Sequence, residues 1–129
     1  AITFVSCLPI SAGMLTSFQD GEYFYQLINN QAYITGALYT LSGVVTIPDK
    51  LGGYTVVSIE KNAFNGHDDV THFTVPETVT TIENGAFYSC SNLKTISLPN
   101  SLICFYHRMT QPYQTLTEHL SLPHRLFGL

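Results

Sequence analysis

An internal repeat constrains this chain more than any other feature. Ile59-Glu60-Lys61-Asn62-Ala63-Phe64 lies 23 residues before Ile82-Glu83-Asn84-Gly85-Ala86-Phe87, and Ile, Glu, Ala and Phe are identical. The same offset aligns Val70 with Leu93, Phe73 with Ile96, Val75 with Leu98 and Pro76 with Pro99. Upstream it aligns Val56 with Val79, and Val79 in turn with Leu102. One unit further back, Val45-Thr46-Ile47-Pro48 repeats the Phe73-Thr74-Val75-Pro76 ending at a spacing of 28. The five extra residues fall around Lys50-Leu51-Gly52-Gly53-Tyr54, which reads as a glycine-marked loop. A fixed period of about 20–50 residues is the signature of stacked units, each too small to bury its own apolar side.

The unit has a physical reading. Val70-x-x-Phe73-x-Val75 and Leu93-x-x-Ile96-x-Leu98 end in period-2 alternation, which predicts short half-buried strands. A proline follows each and stops it, because proline cannot donate to a ladder. A second short run, Val79 to Ile82, precedes Glu-x-x-Ala-Phe, expected as one helical or 3₁₀ turn that drops the Phe ring inward. Stacking such units at the strand spacing of about 4.8 Å gives a mainly β solenoid with short helical or 3₁₀ turns. Its expected core is Val56, Ile59, Ala63, Phe64, Val70, Phe73, Val75, Val79, Ile82, Ala86, Phe87, Cys90, Leu93, Ile96 and Leu98. Ahead of it, Tyr23, Tyr25 and Leu27 alternate, Asn29-Asn30 suits a tight turn, and Ala32 and Ile34 alternate back. That β-hairpin, within residues 21–43, would cap the open end of the stack.

Val75-Pro76, Val79, Ile82, Ala86-Phe87, Cys90, Leu93 and Ile96 resemble the unit of the BspA-like leucine-rich repeats of bacterial and protist surface proteins. The preceding unit matches at Ile47-Pro48, Val56, Ile59, Ala63-Phe64, Val70 and Phe73, and departs at His67, where the family usually has Cys. Tyr23-Phe24-Tyr25 through Ile34-Thr35-Gly36, followed by Gly52-Gly53, is similar to the family's tyrosine-rich opening hairpin and first loop. The resemblance covers about residues 21–102, with repeats over 44–102. It implies a leucine-rich-repeat solenoid and binding or adhesion at a cell surface or outside the cell, and it leaves the ligand open.

The two ends read differently. Residues 1–18 are apolar and uncharged, with Ser11, Ala12 and Gly13 near a plausible cleavage region, so residues 1–20 read as a signal-peptide remnant or leader. The other reading is an N-terminal strand packed on the domain. Phe4-Val5-Ser6-Cys7 loosely resembles a lipoprotein box. After Leu102 the register fails, and residues 103–129 hold both arginines and three of the five histidines. That tail is either an atypical terminal cap or non-cognate sequence from a changed reading frame or an incomplete gene, the composition favouring the second. Thr115 to Leu122 could form a short helix. The 129 residues thus read as the front of a longer protein.

No catalytic motif is evident: there is no phosphate loop, nucleophile elbow or His-Glu-x-x-His. A net charge of −4 argues against nucleic acid as a partner, and no apolar run is long enough to span a membrane. His67 and His72, like His119 and His124, are five residues apart, which puts each pair on different sides of a helix or strand; all read as surface residues and no metal is expected. Asp68 and Asp69 read as a solvated turn. Three cysteines cannot pair fully, and Cys90 is expected to stay reduced as an inward apolar filler. Only 11% of residues are charged against a typical ~25%, so Ser, Thr and Asn must keep the surface wet. Residues between the buried ones form two rows across the strands, Val44-His72-Thr95 and Thr46-Thr74-Ser97. Hydroxyl rows of this kind support neighbouring strands by a few tenths of a kcal/mol. They also offer His72, Thr74, Thr95 and Ser97 as a shallow polar face for a protein or glycan. The expectation is a non-enzymatic recognition module without cofactor. A targeting segment of a larger secreted hydrolase or peptidase, and a spacer in a long surface array, are the alternatives.

Overall fold

The computed structural model describes residues 16–105. The lipoprotein-box, cleavage-region and tail-helix readings, with Cys7, His119 and His124, lie outside the described residues.

Among the described residues, ten strands form two sheets. They are β1 (Ser17–Asp20), β2 (Tyr23–Ile28), β3 (Gln31–Ala37), β4 (Gly43–Thr46), β5 (Lys50–Leu51), β6 (Tyr54–Ile59), β7 (Val70–Thr74), β8 (Thr81–Ile82), β9 (Thr95–Ser97) and β10 (Cys104–Phe105). One sheet has the order β1-β2-β3-β6-β8-β10, with β5 beside β6; the other has the order β4-β7-β9. Outside the hairpins the pairings are parallel, β3 with β6, β6 with β8, β8 with β10, β4 with β7 and β7 with β9, as between strands contributed by successive units. Ser58 pairs with Thr81 and Ile59 with Ile82, while Phe73 pairs with Ile96, each 23 residues on.

The hairpin forms where its sequence predicts. Asn29 and Asn30 hold φ of 50° and 62°, which a two-residue turn matched to strand twist requires. Its second strand, β3, then lies parallel to β6. The segment read as leader ends in β1, which pairs antiparallel with β2 and sets Phe18 against Tyr25 at 5.6 Å. Residues 50–54, expected as a loop, instead make a second hairpin: β5 pairs with β6 around Gly52 and Gly53, at φ 59° and 88°.

The Glu-x-x-Ala-Phe segments also differ from expectation. There is no helical or 3₁₀ segment among the described residues. Ala63 and Ala86 donate back to the Glu60 and Glu83 carbonyls at 3.1 and 3.2 Å, and a chain of single turns follows. Left-handed backbone at Asn62 (φ 59°) and Gly85 (φ 73°) interrupts each turn before it can propagate as a right-handed helix.

These turns still deliver their phenyl rings inward. Phe64 and Phe87 stack at 5.5 Å with an interplanar angle of 5°, and Phe73 of β7 packs against both at 4.9 Å. Around them one continuous core gathers Ile34, Ile47, Val56, Ile59, Val70, Val79, Ile82 and Ile96. Of the core expected from the sequence, Leu98 alone is only half-buried.

Candidate functional site

The β4-β7-β9 sheet presents its residues alternately. Val45, Phe73 and Ile96 are buried, so their neighbours on each strand project to the opposite face. Register then brings the two rows together: Val44 beside His72 beside Thr95, and Thr46 beside Thr74 beside Ser97. His72, Thr74, Thr95 and Ser97 are half-buried, whereas Val44 is 72% exposed.

His72 binds the two hydroxyls of β9 to itself. Its Nδ1 contacts Thr95 Oγ1, and its Nε2 lies 3.3 Å from Ser97 Oγ. The imidazole therefore bridges the rows and is held in one orientation. What the face offers is hydroxyl donors and acceptors, one titratable ring and an apolar edge at Val44. That chemistry suits a neutral polar ligand held by hydrogen bonds better than a strongly charged one.

His67 is not a surface residue, which corrects the sequence reading. It is 3% exposed, stacked on Tyr39 at 4.5 Å and edge-on to Phe64 at 5.7 Å. Its Nε2 lies 3.2 Å from the Leu38 carbonyl, and because a carbonyl can only accept, that nitrogen carries the proton. Twenty-three residues on, Cys90 occupies the same inward position, and its thiol donates to the Phe64 carbonyl at 3.1 Å. Burial pushes the Cys90 thiol up to about 11, so it stays protonated at neutral pH. No group of three His, Cys, Asp or Glu side chains converges among the described residues.

Asp68 was expected only in a solvated turn. It is exposed, yet its Oδ1 accepts from Ser91 N at 2.9 Å and from Ser91 Oγ at 2.8 Å, while its carbonyl accepts from Asn92 Nδ2 at 2.9 Å. These bonds to Ser91 hold the carboxyl below its ordinary value. The 23-residue spacing of Asp68 and Ser91 was the available signal for this tie. A groove beside β4, lined in part by Glu22 and Thr40, had no signal in the sequence, since nothing in the repeat pattern touches residues that far upstream.

Comparison with known proteins agrees with this architecture. The family model described as BspA type leucine rich repeat region (6 copies) matches residues 45–124. Among solved structures, a leucine-rich repeat protein of T. pallidum is 27% identical with a TM-score of 0.60, the match covering 67% of this chain and 41% of that one. A leucine-rich repeat protein of Bacteroides capillosus is 28% identical with a TM-score of 0.61, covering 67% of each chain. A leucine rich cell surface protein of Faecalibacterium prausnitzii is 32% identical with a TM-score of 0.56, covering 67% of this chain and 24% of that one. No curated protein gives a significant sequence match.

Proposed function

This chain belongs to the BspA-type leucine-rich repeat family, and from that premise we propose that it is a non-catalytic recognition module of the cell surface or extracellular space, binding protein or glycan ligands. Its parallel strands are read as the walls of a solenoid with a 23-residue period. Residues 21–43 are its cap and 44–102 its repeats; of the segment read as leader, Ser17–Asp20 joins the cap as β1. Pairing of β10 with β8 and the family match to residue 124 support reading residues 103–129 as cognate repeat sequence. The likeness to a leucine rich cell surface protein of F. prausnitzii supports the location.

One observation carries the binding assignment: His72, Thr74, Thr95 and Ser97 lie in register on adjacent parallel strands and share one accessible face. Solenoids commonly bind through such continuous faces. The test replaces all four with alanine and compares both proteins on an array of surface glycans and ectodomains, with far-UV circular dichroism as the fold control. Binding to the array that drops about tenfold or more in the variant supports the face, since losing several hydrogen bonds costs at least ~1.4 kcal/mol. Unchanged binding by a folded variant would falsify the assignment.

A further inference from the structure

The two sheets are capped unequally. The hairpin adds β3 to β6 in one sheet, but no described strand flanks the outer edge of β4 in the other. Ile47 N donates to the Thr74 carbonyl at 3.0 Å, so by alternation Val45 also turns its peptide groups to β7. The peptide groups of Val44 and Thr46 then point outward. A groove of about 330 Å³ runs along this edge, lined by Glu22, Tyr23, Thr40, Ser42, Val44 and Thr46. Glu22 is its one charged lining residue among the described residues, and Thr40 Oγ1 donates to Glu22 Oε2 at 2.5 Å, which fixes the carboxylate at the rim.

We propose that the β4 edge takes an extended segment of another protein carrying a basic side chain, which adds to β4 as a strand and sets its Lys or Arg against Glu22. Outward-facing peptide groups supply main-chain hydrogen bonds for strand addition, and the neighbouring side chains supply selectivity. A second copy of this chain fits the groove less well. Eight of the nine acidic residues lie within residues 16–105 against three of the five basic ones, so a second copy offers few basic side chains to Glu22. The edge adjoins the His72 face through Val44 and Thr46, but its outward peptide groups and Glu22 are no part of the His72, Thr74, Thr95 and Ser97 set, so the proposal does not rest on that one.

The test titrates a fluorescent peptide of alternating Thr and Val with a central Lys into the full chain, beside a twin with Leu in place of Lys. Val44→Pro removes an outward amide while keeping the Val45 and Ile47 bonds to β7, and should weaken both peptides about tenfold or more. Glu22→Gln keeps an acceptor for Thr40, and should weaken the Lys peptide about fivefold while sparing the Leu twin. Circular dichroism checks each variant; if Val44→Pro does not fold, the Glu22→Gln comparison of the two peptides decides. Absence of binding by the unmodified chain, or affinities unchanged in Glu22→Gln, overturns the proposal. So does dimerisation of the unmodified chain that Val44→Pro abolishes, which would assign the edge to a second copy.

Discussion

His67 and Cys90 stand at the same inward position of successive units; His67 donates to the Leu38 carbonyl of the cap and Cys90 to the Phe64 carbonyl of the preceding unit. The two side chains do the same job with different consequences. Sulfur tolerates the apolar site, while the imidazole keeps a buried Nδ1 without a hydrogen-bond partner among the described residues. An unsatisfied buried acceptor costs on the order of 1–3 kcal/mol, which the Tyr39 stack and the Leu38 bond offset. Asp68 acts at the surface. Its folded-state carboxyl lies below the ordinary value because Ser91 hydrogen-bonds the ionised form. The stabilisation is therefore fully present above the unfolded-state carboxylate range and is lost as pH falls through the lower folded-state value. Asp68→Asn should lower the urea midpoint at pH 7, with the gap from the parent chain closing on acidification below about pH 4. A gap that stays constant with pH would show that the tie does not depend on the charge.

At the scale of elements, the hairpins are set by residues that tolerate left-handed backbone, and one such position is also sterically closed. A Cβ on Gly52 would lie 2.0 Å from the Tyr25 hydroxyl and 3.1 Å from the ring carbon bearing it, at a φ of +59°. Tyr25 is 5% exposed and backed by Phe18, so its ring has little room to retreat. Gly53 has a φ of +88° but nothing within 4 Å of the added atom. Gly53→Ala should therefore cost about 1 kcal/mol, the strain of left-handed backbone alone. Gly52→Ala should cost about 2–4 kcal/mol, because overpacking adds to that strain. Chemical denaturation of both variants measures the difference, and equal costs would show that Tyr25 moves freely. Between units, polar ties recur on the sheet ends: Thr80 N donates to the Val57 carbonyl at 2.9 Å and Ser101 Oγ to the Val79 carbonyl at 2.8 Å. Short strands of two or three residues thus gain support that their own ladders do not supply.

At the scale of the molecule, stability depends on what covers the first unit, because repeat units bury apolar surface only against neighbours. β3 does this for one wall, bringing fully buried Ala32 and Ile34 against Val56 and Ile59. A chain lacking residues 1–37 should aggregate or lose its β-sheet signal, seen by size-exclusion chromatography and circular dichroism; a monomeric, cooperatively melting product would make the hairpin dispensable. The apolar repeat from Val56 to Ile96 made the core and the strand pairing legible in advance, since period-2 alternation and a constant offset leave each side chain one face and one partner. The rows of His72, Thr74, Thr95 and Ser97 followed from the same rule. The turns did not, because Glu-x-x-Ala-Phe suits a helical turn locally and only the left-handed Asn62 and Gly85 prevent it. Sequence by itself determined the inward faces and the family, both of which are local patterns repeated. Tertiary structure decided that His67 is inside against Tyr39, that Asp68 reaches Ser91, and that no described strand flanks the outer edge of β4 beside Glu22. Each of those depends on particular side chains 18 to 29 residues apart in sequence; even for Asp68 and Ser91, the repeat offset aligns the pair without specifying that they bond.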